Sequence, residues 1–317
     1  MHFISYIPNA TLFIQVRKLS RLKRPLTLVL DLKLDNILVI FEDASVIEDF
    51  IQGQIDEPMP RKDLGDRIIY LSHNNFGQLK DVRLLPNIYP KITDFGLAQR
   101  GDGPEPLIHP IQPDQCHAPE VILGTGWSYS ADLWNFGIMV SNISSPLKRP
   151  ESDHLPKVWD LLAGETLFQG VGDVKGAYSA QHHLAEMFAL LGPVPPELIA
   201  QERIMRHRRW DMPVLNHKNE LCYNVADYYG GPYFDDNGTL QPKVQSTWQL
   251  TEYIGQFVAT NLISNNKDLK GIVPDCIPDN EINMFLDFMQ KMLCWLPAER
   301  ATAGELKNHP WLTHFQE

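Results

Sequence analysis

The sequence predicts a mainly α fold with a few short β-strands near its start. Three observations predict it. Apolar residues recur at helical spacing through the second half, a capping pair stands close to the C-terminus, and the clearest strand-like run lies early in the chain. In order, Ile37–Phe41 is an apolar run behind the polar cluster Asp31–Asn36, as befits a short strand. Residues 42–90 mix acids with turn formers such as His73-Asn74-Asn75 and read as a long spacer. Residues 100–115 are rich in Gly and Pro without periodicity, a loop. Ala131–Met139 reads as helix. Leu184, Met187, Phe188 and Leu191 mark one later helix, and Ile282, Phe285, Leu286, Met289, Met292 and Leu293 mark another. Thr302 and Glu305 have the spacing of a capping box, opening a last short helix that ends near His309-Pro310.

Composition excludes whole function classes. The 317 residues are 44% apolar and 21% charged, which rules out a disordered, collagen-like or membrane-bundle chain. Cys116, Cys222, Cys276 and Cys294 are widely spaced and form no CxxC pair, so reduced thiols in a cytoplasmic or nuclear compartment are expected. The apolar N-terminal stretch is interrupted by Pro8-Asn9 and too short to span a bilayer; it also lacks the basic start of a secretory signal. Residues 1–30 hold five bases and no acid, leaving 23 bases against 39 acids in residues 31–317. An acidic body disfavours direct nucleic-acid binding and favours basic partners.

Chemistry concentrates in three ordered clusters: Asp31-Leu32-Lys33-Leu34-Asp35-Asn36, Asp94-Phe95-Gly96 and Ala118-Pro119-Glu120. They match D-L-x-x-x-N, D-F-G and A-P-E. Each alone is an ordinary turn or loop, but the three in order resemble a eukaryotic protein kinase. Ser130-Ala131-Asp132-Leu133-Trp134-Asn135-Phe136-Gly137 resembles the start of the central C-lobe helix, and Pro297–Thr302 with His309-Pro310-Trp311 resembles the closing segment. DLKLDNILV, the long spacer, DFGLAQRGDG and GTGWSYSADLWN are together most similar to the serine/arginine-rich-protein kinases.

That resemblance implies a protein-kinase-like C-terminal lobe over residues 31–317 and ATP-dependent phosphoryl transfer to Ser or Thr. It implies Asp31 as acceptor of the substrate hydroxyl proton and Lys33 as the lysine on the transferring phosphate. Asn36 and Asp94 are the implied oxygen ligands of two Mg²⁺ ions. Asp132 is implied to hold the catalytic-loop backbone, and Arg300 to pair with Glu120. The implied partner is a protein substrate rich in Arg and Ser, served by a monomer without nucleic acid or membrane.

Three features depart from the family. Residues 1–30 contain no glycine, hence no G-x-G-x-x-G, and no strand Lys; they read as an atypical leader, and only the C-lobe is expected here. Val29 and Leu30 stand where the family has His-Arg or His-Thr. The chain as written is therefore expected to transfer phosphate poorly, and an inactive C-lobe remnant that binds basic peptides is the competing expectation. Residues 140–157, VSNISSPLKRPESDHLPK, carry Pro146, Pro150 and Pro156, which no helix interior accommodates. Joining Met139 to Val158 gives a continuous helical pattern ending at Gly164, so an inserted segment, the translation of a retained intron, is expected; a surface loop between helices is the alternative.

Overall fold

The structure, a computed structural model, describes residues 27–28, 32, 36–39, 45–71, 73, 76, 90–101, 103, 105–139, 167–168, 171–172, 177–239, 241, 273 and 277–313. Residues 140–157 lie outside this set, as do Asp31 and Lys33. The chain divides into two compact units, Ile37–Ile92 and the remainder.

The smaller unit holds more regular structure than a spacer suggests. β2 (Ile37–Val39) pairs antiparallel with β5 (Pro90–Ile92), and β3 (Arg61–Asp63) with β4 (Ile68–Tyr70). Between β2 and β3 runs α1 (Ser45–Asp56). Its signal was present in the sequence: Val46 and Phe50, with Ile47, Ile51 and Ile55 beside them, recur every four residues. Acids at the intervening positions hide that pattern from a composition-level reading.

In the larger unit β1 (Thr27–Leu28) pairs antiparallel with β6 (Gln99–Arg100). Two short helices come next, α2 (Pro119–Leu123) and α3 (Ser130–Met139). All ten residues of α3 are buried, as expected of a helix with neighbours on every side. Trp134 stacks on Phe168 with ring centroids 6.1 Å apart. Gly137 lets the turn at Met292-Leu293 approach: a Cβ there would stand 2.9 Å from Leu293 Cδ2 and 3.0 Å from Met292 Cβ.

α4 (Ala180–Leu191) and α5 (Pro196–Met205) follow, then the hairpin β7 (Val214–Leu215) and β8 (Leu221–Cys222) and the one-turn α6 (Val225–Tyr229). This hairpin lies well beyond the region where strands were expected. Its turn is made by Asn216, whose Oδ1 accepts from the amides of Lys218 and Glu220.

α7 (Ile282–Gln290) is shorter than its apolar periodicity, because the amides of Met292 and Leu293 both turn back to Met289 O. The two side chains remain buried past the helix end. α8 (Ala303–Lys307) opens with the expected capping box, Thr302 Oγ1 accepting from the Glu305 amide and Glu305 Oε2 from the Thr302 amide. The chain does not end its helices at His309-Pro310, however. Pro310 is the first residue of a further turn, α9 (Pro310–Thr313), where a missing N–H costs nothing. Trp311 from that turn fills the core against Phe285 and Phe288, each ring centroid 5.1 Å away.

His309 ties this end down through Nε2, 2.7 Å from Asp287 Oδ2, while Lys291 Nζ lies 3.2 Å from Asp287 Oδ1. The His309 hydrogen bond, with Lys291 adding to it, holds the Asp287 carboxyl below its ordinary value; partial burial opposes them. A depressed folded-state value means this stabilisation is present above the ordinary carboxylate range and lost as pH falls through the lowered one. Asp287→Asn is therefore expected to flatten the acid limb of the stability curve below the ordinary carboxylate range, read by denaturant titration at each pH.

Candidate active site

Asn36 and Asp94 are brought together by the residue between β5 and the Asp-Phe-Gly turn. Thr93 donates twice to Asn36 O, from its amide at 2.8 Å and from Oγ1 at 3.2 Å. Two oxygen-bearing side chains 58 positions apart in sequence thus flank one pair of hydrogen bonds. Asn36 is buried, 6% exposed, whereas Asp94 is exposed. Asp94 has φ 57° and ψ 62°, the left-handed region, a cost of about 1–2 kcal/mol for a residue with a Cβ. Its Oδ1 is turned toward Gly96, and Phe95–Leu97 form one tight turn closed by Ala98 N to Phe95 O at 3.0 Å. An unfavourable backbone held in place is the kind of strain that functional sites store.

Of the other residues singled out by sequence, Leu32 is buried, while Asp31 and Lys33 on either side of it are outside the described set. Asp132 is buried in the first turn of α3. Glu120, in the first turn of α2, and Arg300 form a pair with both side chains fully buried. Arg300 Nη1 donates to Glu120 Oε1 and Nη2 to Oε2, each at 2.6 Å. Nη1 also donates to Ser130 O and Nε to Cys294 O, and the guanidinium lies 5.1 Å from the Trp134 ring centroid. The planar fork of arginine uses its donors in fixed directions, which locks α2, the start of α3 and the turn after α7 together.

Sequence reading missed two further devices around the segment before α2. Gln112, at φ 73°, clamps that segment: its Nε2 donates to Ala131 O and Asn135 Oδ1, and its Oε1 accepts from the Ala118 amide. One residue before Ala118, His117 Nδ1 lies 2.9 Å from the Tyr178 hydroxyl, which lies 3.1 Å from His183 Nδ1. Burial pushes the Tyr178 phenol well above its usual range, with the nearby phenols of Tyr229 and Tyr233 and the carboxylate of Asp114 adding to it. The phenol therefore stays protonated. Its hydroxyl can donate to one imidazole and accept from the other. His183 is fully buried. No spacing rule reveals either device, since Gln112 reaches Ala131 and Asn135, 19 and 23 positions away, and His117 reaches Tyr178, 61 away.

Asn36 and Asp94 carry the oxygen donors that a hard divalent cation takes. A carboxamide and a carboxylate are oxygen donors of the kind Mg²⁺ takes. Among the described residues no group of three or more His, Cys, Asp or Glu side chains could hold a metal ion. Cys116, Cys222 and Cys294 are not joined in disulfides, and no helix among the described residues is long and apolar enough to cross a membrane.

A serine/threonine protein kinase of Aspergillus fumigatus is 30% identical over 297 residues, covering 90% of this chain and 56% of its own length. The dual specificity protein kinase CLK4 of Mus musculus is 25% identical over 242 residues, covering 76% of this chain and 37% of its own. This chain thus spans about half the length of the first relative and about a third of the second. A kinase-domain crystal structure superimposes with a TM-score of 0.52 at 20% identity, over 97% of this chain and 66% of that one, a likeness of fold. The protein kinase domain family matches residues 78–312, which contain Asp94, Glu120, Asp132 and Arg300. The chain belongs to the protein kinase family.

Proposed function

We propose that the chain carries protein serine/threonine kinase chemistry, transferring phosphate from ATP to Ser or Thr in Arg-rich protein segments. The observation that supports it most directly is the juxtaposition of Asn36 with Asp94 through Thr93, in a chain of this family. Mg²⁺, when bound with ATP, neutralises charge on the phosphates. Asn36 and Asp94 would hold it. Asp94 is exposed and its left-handed backbone fixes where the carboxylate stands. Asp31 accepts the hydroxyl proton, and Lys33 supplies positive charge at the transferred group. The excess of acids over bases in residues 31–317 attracts basic substrates and makes their binding salt-sensitive.

The experiment is single-turnover transfer from γ-labelled ATP with Mg²⁺ into an Arg/Ser-repeat peptide, with acidic and Pro-directed peptides as competitors. Slow labelling of Ser in the basic peptide is expected, lost by at least about 100-fold in Asp94→Asn and in Asp31→Asn. Labelling that survives both substitutions, or that prefers the acidic peptide, overturns the reading. Salt-sensitive binding of the basic peptide without any transfer favours the noncatalytic binding module instead.

A further inference from the structure

We infer that the outward face of α1 is a docking surface for a basic amphipathic helix of a partner protein. α1 has three faces. Val46 is buried, and Phe50 and Gln54 face the chain that follows: the Phe50 ring centroid is 4.7 Å from that of Phe76 and 5.6 Å from that of His73, and Gln54 Nε2 is 3.4 Å from His73 Nε2. Beside this packed face runs a second apolar line, Ile47, Ile51 and Ile55, at 45%, 52% and 65% exposure. Spacing of four residues puts the three on one strip about 12 Å long. A single exposed isoleucine is ordinary; three in register on one helix form a patch of the kind that marks interaction sites.

The third face decides the partner. Glu48, Gln52 and Asp56 run along the far edge of the strip, Gln52 Nε2 donating to Asp56 Oδ1 at 2.9 Å. Residues 42–57 contain Glu42, Asp43, Glu48, Asp49, Asp56 and Glu57 and no Lys or Arg. A second copy of this chain would set acids against acids, and an anionic bilayer would repel the same edge. A helix with apolar residues every third or fourth position, flanked by Lys and Arg, complements both the strip and its edge.

The test uses the whole 317-residue protein and a fluorescent 15-residue peptide of Leu and Lys with Leu in helical register, beside a scrambled peptide of equal composition. Register-dependent binding is expected, weakened by at least about ten-fold in Ile47→Ser/Ile51→Ser/Ile55→Ser. Ile51→Glu alone, at a half-exposed position, gives a comparable loss, so the readout does not depend on the triple variant folding. Glu48→Gln/Asp56→Asn weakens binding several-fold and flattens its salt dependence. Equal binding of the scrambled peptide, or unchanged binding in the isoleucine variants, overturns the inference. So does concentration-dependent dimerisation that the triple isoleucine variant abolishes, which would assign the strip to a second copy.

Discussion

Replacing Arg300 with alanine is expected to destabilise the protein by about 3–5 kcal/mol, because it strands Glu120 as an unpaired charge in a site without solvent. The loss exceeds that of a surface ion pair for a structural reason. Arg300 joins elements 180 residues apart by two 2.6 Å hydrogen bonds, and it also satisfies the carbonyls of Ser130 and Cys294. Arg300→Lys should recover little, since an ammonium cannot reproduce the two parallel bonds to Glu120. Removing both charges is a different experiment. Glu120→Leu/Arg300→Met removes the stranded carboxylate along with its partner and is expected to cost less than Arg300→Ala. Denaturant unfolding of the three variants checks the order, and a double variant less stable than Arg300→Ala would show that the pair is more than self-compensating.

Gly124→Val is the second large effect, expected at about 2–5 kcal/mol from two additive sources. Gly124 ends α2 at φ 65°, where a β-branched residue costs about 1–2 kcal/mol. A Cβ there would also stand 2.7 Å from Val225 Cβ and 2.9 and 3.0 Å from its γ carbons, overpacking the contact between α2 and α6 by about 1–3 kcal/mol. Val225 is buried and stiff at χ1, so it cannot swing away. Gly124→Ala shows the same sign at smaller size. Adding Val225→Gly to Gly124→Ala should relieve the clash and leave the backbone cost, and melting curves of the single and double variants separate the two. No recovery in the double variant would mean the strain lies in the backbone alone.

These two positions also show where sequence reading stops. Gly124 could be read as a helix terminator, yet nothing near it in sequence announces Val225. Arg300 and Glu120 were matched through a family resemblance; the carbonyls of Ser130 and Cys294 that share the guanidinium were not. The spacer is the opposite case. The four-residue recurrence of Val46, Phe50, Ile47, Ile51 and Ile55 was legible all along, but acids between them masked a helix that needs only one packed face.

The sequence by itself determined the ordered motifs, the late helices and the capping box of α8, because each depends on residues within a turn or two of one another. Helical periodicity and caps are local, and local interactions are written in local sequence. Tertiary structure alone decided that Thr93 would bind Asn36, that Gln112 would clamp the segment before α2 to α3, and that Tyr178 would stand between two imidazoles. Those contacts satisfy backbone and side-chain polar groups that burial has removed from water. Which groups are buried together depends on how helices far apart in sequence pack, and no spacing within the chain records that.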